Sequence, residues 1–395
     1  MRSHLRRYAP ADSKVIAIGN GQLSLGTVAR ASLAWDWGSD GLLKEYAANT
    51  PVVGYDPATG IIRGTQVWPQ VTNSLLQNRN LAATWTNNGA TKDAVGVDGV
   101  ANTAWTLTDT DDASQSITVT NNSLTNVGFW LIGKGDDSAV LSLTYTGGTG
   151  LTYTATLDTS TGIATEGDDA VADDIVVTDL GDWWGLTLAA ANNTTGNTTL
   201  TLKTDVDGGS GTIIQDFPGI YLNTAAGLVV PIETGATAVT REGDDIDLTS
   251  IPFYNPAEST IVFKGTFELA GVNRSLLTFK NAAADGTENI DILILSNETV
   301  RARVIAGNVS QAQLTTSALS AGKFAVALGV KANDFGLSVN GAAVLTDTSG
   351  TMPSDLVSLV IGRSRVNTDY ARLWIEDITY YPVRLSDAQL QALST

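Results

Sequence analysis

The sequence predicts an all-β protein. It is read as two antiparallel β-sandwich (jelly-roll) domains preceded by an extended N-terminal arm and closed by one short C-terminal helix. Three observations lead there. The composition favours strands and turns, being rich in Thr, Val, Gly, Asn and Asp, with 39 Gly but only 2 Met. Several segments alternate apolar and polar residues with a period of two, the mark of a half-buried strand. A length of 395 residues also exceeds what one hydrophobic core usually serves.

Taken in order, residues 1–75 read as an arm followed by a small β subdomain. Residues 1–30 carry Arg2, Arg6, Arg7, Lys14 and Arg30 against Asp12 alone, in a chain whose net charge is −18. A basic arm on an acidic body suits docking on an acidic surface; a solvated terminus is the competing reading. Ala31–Trp37 reads as a strand with Trp35 and Trp37 on one face. Tyr55–Gly60 is a turn in which Pro57 fixes φ and Gly60 closes the reversal.

Residues 76–235 read as the first sandwich. In Leu151–Leu157, residues Leu151, Tyr153, Ala155 and Leu157 share one face and three threonines the other. Thr199–Lys203 repeats the pattern. Acidic and glycine clusters separate such strands, as expected of a sandwich or jelly roll.

Residues 236–395 read as the second sandwich, entered through the polar segment 240–247. Its first strand starts near Ser259. Further strands are expected near 275–280, 290–296, 299–305, 323–330, 334–339, 342–346, 356–362 and 373–381. Asn340-Gly341 is the best hairpin signal, because both positions tolerate positive φ. On the last strand, Trp374, Ile378 and Tyr380 are expected on one buried face. Ser386 and Gln389 have capping-box spacing, so a helix should start at Ser386, with Leu385, Leu390 and Leu393 docking it.

Charge and composition also exclude function classes. The strong negative charge argues against nucleic-acid binding, which needs cations to displace counterions. Without cysteine there is no disulfide or thiolate chemistry. The first residues lack a signal peptide's apolar core, and no run approaches the roughly 18 apolar residues of a membrane helix. The chain is therefore expected to be made in a cytoplasm and to have no membrane partner.

Catalytic constellations are weak. His4 is the sole histidine, which removes nucleophile–histidine catalysis from the body. Glycosidases of sandwich fold place two carboxylates about 5 Å apart through Glu-x-Asp-x-x-Glu. The nearest string, Glu242-Gly-Asp244-Asp-Ile-Asp247, ends in Asp and precedes the domain's first strong strand, so a solvated linker is the better reading. Glu288-Asn-Ile-Asp291 has the wrong spacing. The expectation is a protein that is not an enzyme and needs no cofactor. Calcium is the one metal to weigh, since it takes six to eight oxygens from acidic turns. Asp109, Asp111 and Asp112 are one candidate set, and Asp168, Asp169, Asp173 and Asp174 another; soluble acidic turns are the plainer reading. Trp183 and Trp184 are candidates for stacking on a sugar ring, with core packing as the competing reading for each. Arg301 and Arg303 share a strand face, as a solvated edge or as a contact to an acidic neighbour.

Several segments carry a resemblance in their order along the chain. Leu337–Gly341, Leu359–Arg363, Trp374–Tyr381 and Ser386–Leu393 resemble the end of a concanavalin A-like (laminin G-like) sandwich of the kind found on phage virions. Asn73–Gln77 with Trp85, Asp179–Trp184 and Gly219–Leu222 resemble a carbohydrate-binding-like jelly roll of phage-associated proteins. Val239–Arg241 resembles the link between the two modules. Gly54–Gly60 with Arg63-Gly64 resembles the lead-in of such virion proteins. The resemblance implies a non-enzymatic virion surface protein of head decoration, head-fibre or tail-fibre type. It would decorate or cement the capsid through its arm, with the major capsid protein or another virion protein as partner, as a homotrimer. The alternative it implies is a tail-fibre or appendage adhesin that binds a host surface polysaccharide.

Overall fold

The computed structural model describes residues 14–17, 27–108, 111–119, 125–145, 151–167, 174–191, 196–204, 211–222, 230–268, 271–365 and 370–395. Among them every strand pairing is antiparallel, and the one helix, Asp387–Leu393, lies at the C-terminus.

The first sandwich packs a six-stranded sheet on an eight-stranded one. The six-stranded sheet runs in the spatial order Ile163–Gly167, Thr152–Asp158, Ser138–Tyr145, Gly196–Thr204, Asp112–Val119, Thr86–Asn88. The period-two segments behave as alternation demands. Tyr153, Ala155 and Leu157 are buried while the threonines between them are not, and Leu200 and Leu202 face the same core. The opposing sheet runs Asp174–Asp179, Trp183–Ala191, Thr125–Gly133, Thr212–Leu222, Ala104–Thr108, Thr91–Ala94. Its inner face supplies Trp130, Ile132, Leu186, Leu188 and Ile220. Its outer face is covered too. Phe129, Leu131, Phe217 and Tyr221 lie beneath Trp35, Trp37 and Leu43 of the two-stranded sheet Ala34–Trp37/Leu43–Tyr46. A sheet buried on both faces loses polar alternation, which is why Trp183–Ala191 and Thr125–Gly133 read as near-continuous apolar runs.

The second sandwich packs an eight-stranded sheet on a seven-stranded one. The first of these centres on Glu258–Phe267, flanked by Gly322–Lys331 and Leu373–Tyr381. The second runs Thr27–Ala29, Asp245–Leu248, Ser358–Ile361, Arg274–Lys280, Asn289–Ile294, Thr299–Ala306, Val309–Ala318. Phe263, Phe267, Phe279, Phe324 and Phe335 fill the space between, all fully or nearly fully buried. The helix sits on the outer face of the eight-stranded sheet, with Leu390 and Leu393 against Val262, Ala327 and Tyr381. The Gln389 side chain accepts the backbone N–H of Ser386 at 2.9 Å, the return half of the expected capping box.

Four local features depart from the sequence reading. The strand Val309–Ala318 was not foreseen. It is an edge strand that buries only Ala312 and Leu314, so its apolar signal is thin. Asn340 and Gly341 do take positive φ, 51° and 71°, and Ala342 N–H closes the turn on Val339. The strand pairing resumes only at Leu337–Leu345, so the returning strand is Leu345–Asp347 and not 342–346.

The third departure is a β-bulge in the last strand. The register against Glu258–Phe267 passes from Lys264↔Asp377 to Gly265↔Ile375, leaving Glu376 extra. The bulge inverts the alternation, so Ile375, Ile378 and Tyr380 face the sandwich core while Trp374 points to the opposite side. Trp374 therefore does not share a face with Ile378 and Tyr380.

The fourth concerns the N-terminal segment. Lys14–Ala17 pairs with Ile378–Tyr380 of the last strand, and Thr27–Ala29 pairs with Asp245–Asp247. These strands add to both sheets of the second sandwich. Ile62–Val67 and Val53–Tyr55 extend its eight-stranded sheet beyond Leu373–Ile375.

Candidate functional site

A concentration of aromatic and charged side chains lies where the two-stranded sheet and both sandwiches meet. Trp35 and Trp37 come from the two-stranded sheet, Trp68 from the segment after Ile62–Val67, and Trp374 from beyond the bulge. All four belong to one buried cluster with Phe129, Phe217 and Tyr221. Trp68 and Trp374 are 4.9 Å apart between ring centroids, and Trp35 meets Phe217 edge-on at 5.2 Å.

Asp36 is the polar residue between Trp35 and Trp37, so it projects to the other side of its strand. It is buried and saturated. Trp374 Nε1 and Gln66 Nε2 donate to its Oδ2 at 2.8 and 2.9 Å, and Trp37 N–H donates to Oδ1 at 2.8 Å. Burial pushes the Asp36 carboxyl up to about 6 even though the Trp374 and Trp37 hydrogen bonds pull the other way. The network continues through Gln66, whose Oε1 accepts from Arg241 Nη2 at 2.8 Å. Arg241 also donates to Asp244 Oδ2 at 2.6 Å, and Arg30 donates to Asp244 Oδ1 at 2.8 Å. Trp68 N–H adds a third donor to Asp244 at 2.8 Å. Arg30 spends its remaining donors on the carbonyls of Ser32 and Ala47. Side chains from four chain segments thus form one buried chain of charge-assisted bonds.

A cavity of about 80 Å³ remains beside Asp36, Arg63 and the tryptophans. Ligand pockets run to roughly 300–1,000 Å³, so this one suits a few waters rather than a sugar ring. The junction is a structural joint.

The predicted site residues fall as follows. Arg2, Arg6 and Arg7 lie outside the described residues. Lys14 pairs with Tyr380 along the strand. Arg30 is not a free docking cation: it is 1% exposed and its charge is spent on Asp244. Trp183 is buried in the junction cluster. Trp184 is half-buried and already engaged. Its Nε1 donates to the Thr159 carbonyl at 2.8 Å, Lys134 Nζ sits 4.1 Å from the ring centroid, and Gly162 lies so close that a Cβ there would come within 2.4 Å of the indole. Neither tryptophan offers an open platform.

Of the acidic turns, Asp109, Asp168, Asp169 and Asp173 lie outside the described residues. Asp174 opens the strand Asp174–Asp179. Asp111 closes its own turn by accepting from the backbone and hydroxyl of Thr108, and Asp112 accepts from Asn88. Among the described residues no three acidic or histidine side chains gather as a metal cluster.

The string Glu242–Asp247 is not a solvated linker. Asp244 is the hub of the buried network, and Asp245 and Asp247 sit at 2.9 and 2.6 Å from Arg363. Glu288 caps the backbone N–H of Ser354 at 3.1 Å, and Asp291 pairs with Arg303 at 2.7 Å. Arg79, which sequence reasoning passed over, holds the first sandwich's own buried pair. Its guanidinium meets both oxygens of Asp216 at 2.8 and 2.9 Å and lies over the Phe217 ring. Asp36, Gln66 and Arg241 were likewise passed over. The signal available for Asp36 was a carboxylate between two tryptophans in a strand covered on both sides.

The fold is thus that of a double β-sandwich protein sealed by a buried polar joint. No family model matches the chain, and no curated protein matches it in sequence. Among solved structures it is similar to the CBM40 module of the Ruminococcus gnavus IT-sialidase bound to α2,3-sialyllactose. That likeness has 20% identity and a TM-score of 0.33, covering 38% of this chain and 91% of that one. It is similar to domains LG4-5 of the mouse laminin α1 chain, at 11% identity and a TM-score of 0.27, over 67% of this chain and 84% of that one. A third likeness is to a mutant Trypanosoma rangeli sialidase displaying trans-sialidase activity, at 14% identity and a TM-score of 0.28, over 70% and 52%.

Proposed function

We propose that this chain is a non-enzymatic surface protein of a phage virion, which decorates or cements a larger particle and acts by presenting its sandwiches. The observation that carries this reading is the buried network Asp36–Gln66–Arg241–Asp244–Arg30. It ties the N-terminal segment, the linker and both sandwiches into one body, and it commits to scaffold duty carboxylates that acid–base chemistry would need free. Docking falls to the segment before Lys14, with Arg2, Arg6 and Arg7, since Arg30 is spent. Partners would be the major capsid protein or another virion protein, and repeated copies on a symmetric particle favour a homotrimer. A low-resolution image of the intact particle tests this. Density for the chain on the head supports it, and a particle without the chain removes it.

The second reading is an appendage adhesin for host polysaccharide. It draws on the resemblance of residues 76–235 to a carbohydrate-binding jelly roll and on a polar bowl lined by Asn273, Ser296 and Arg372. Specific, saturable binding on a glycan array supports it, and no binding across host extracts opposes it. Calcium would belong to this reading through the turn at Asp109, Asp111 and Asp112. Melting curves that coincide with calcium and with chelator would remove that ion.

A further inference from the structure

A bowl of about 390 Å³ opens beside the second sandwich, lined by Pro69, Gly271, Val272, Asn273, Ser296, Tyr370 and Arg372. It is far larger than the cavity at the joint and lies within the size range of ligand pockets. Arg372 is one of three described arginines, with Arg301 and Arg365, that form no ion pair; those two still act on the Asp291 carboxylate, whereas no described carboxylate acts on Arg372. Arg30, Arg79, Arg241, Arg274, Arg303, Arg363 and Arg384 all have carboxylate partners. Arg372 is half-buried and has no hydrogen bond or ion pair among the described residues. Among the described residues the charge that acts on it is Arg274, a like charge whose own guanidinium is taken up by Glu298 at 2.6 Å. The backbone of Arg372 is held at φ 50°, a left-handed conformation uncommon for a non-glycine residue and frequent at functional sites. Burial and the Arg274 charge pull the guanidinium down to about 10, which still leaves it protonated at neutral pH.

The rest of the lining is built of donors and short apolar walls. Asn273 Oδ1 accepts the backbone N–H of Ser296 at 3.0 Å, which orients the amide. Among the described residues nothing engages its NH2 group or the Ser296 hydroxyl. Gly271 adds no side chain, and a Cβ there would meet nothing within 4 Å, so the rim stays open. Tyr370 commits its hydroxyl to Asp245 and so offers its ring rather than its oxygen. A half-buried cation with no counter-charge among the described residues gains from a ligand that supplies one.

We infer that this bowl is an anion site that takes the carboxylate of an acidic sugar unit, with Arg372 as the two-point donor. A planar guanidinium can meet a carboxylate or a phosphoryl group at two points, and a bowl lined by a single cation suits the single charge of a carboxylate better. Asn273 and Ser296 reach ring hydroxyls, and Pro69, Val272 and Tyr370 receive the carbon body. The inference rests on the adhesin reading and specifies its ligand class.

Calorimetric titration of the full chain with a 1,4-linked tetragalacturonate, with its methyl ester and with sulfate tests it. The acid should bind at least tenfold more tightly than the ester, with sulfate competing only weakly. Arg372→Gln should erase that preference and leave the melting temperature unchanged or higher, since an unpaired cation has gone. Asn273→Ala should weaken acid and ester alike. If the wild-type chain shows no preference for the acid, or if Arg372→Gln retains it, the site is wrong. Retained saccharide binding in Arg372→Gln would leave the adhesin reading standing with its site elsewhere. A wild-type chain that binds no saccharide on the array would remove both.

Discussion

Arg30 was read from sequence as one of five cations on a docking arm, and in the fold it is a buried strut. Nothing within residues 1–30 marks the difference, because its partner Asp244 is 214 positions away. Asp244 would keep Arg241 and the Trp68 N–H, so the loss of Arg30 removes one charge-assisted bond worth about 1.5–3 kcal/mol. Arg30→Ala should lower stability by that order, and a urea midpoint equal to the wild type would contradict the strut role. Asp36 makes a different prediction. Its folded carboxyl, at about 6, lies above the ordinary 3.8, so the native state holds the proton more tightly than the unfolded chain does. Its contribution is fully present below pH 4 and is lost as pH rises through 6, a change of about 3 kcal/mol. Asp36→Asn should flatten that slope. It should also lower stability at every pH, because an amide NH2 would face the Trp374 and Gln66 donors. Unfolding curves at pH 5 and 7 measure both effects.

At the scale of elements, the period-two strands were legible because one face of each is solvated. Thr152–Asp158 and Thr198–Thr204 follow their pattern residue by residue. The hairpin turn and the terminal helix were legible because local chemistry decides them. Two things were not legible. The bulge at Glu376 is a register choice made against Glu258–Phe267, and no local pattern in Trp374–Tyr381 encodes it. The pairing of Lys14–Ala17 and Thr27–Ala29 with strands more than 200 positions away is equally invisible to local reading. Both departures bear on the joint, since the bulge aims Trp374 into it and Thr27–Ala29 delivers Arg30. Removing residues 1–30 should therefore weaken the second sandwich, and not merely detach the protein from a partner. A lowered melting temperature by circular dichroism is expected; an unchanged one would restore the picture of a free arm.

For the whole molecule, burial raises several carboxyls at once. Asp36, Asp216 and Asp291 all sit above their ordinary value, with burial as the leading cause. Asp40, Asp158 and Asp285 are held below theirs by hydrogen bonds, chiefly from side chains of Lys44 and Ser160 and from the backbone of Thr287. The raised groups favour the fold below their native titration, and the lowered groups favour it above the ordinary 3.8. The two sets overlap just above the ordinary 3.8, so stability should peak near pH 4 and fall toward neutrality. Relief of self-repulsion in a chain of net charge −18 acts in the same direction. A melting temperature that rises steadily from pH 5 to 8 would oppose this. The shared joint also predicts one cooperative transition in calorimetry, and Asp244→Asn should split it into two.

The strands at 14–17, 27–29, 53–55 and 62–67 all find their partners in the second sandwich, and Leu373–Tyr381, near the end of the chain, sits within its eight-stranded sheet. During synthesis Val53–Tyr55 and Ile62–Val67 can pair with each other at once, but Lys14–Ala17 and Thr27–Ala29 must wait, unpaired, for partners made more than 200 positions later. The first sandwich can close in the meantime, since its strands lie between residues 71 and 241. A ribosome that stalls after residue 240 would leave a finished first sandwich trailing sticky, orphaned strands, so quality control of this protein should hinge on completing Leu373–Tyr381.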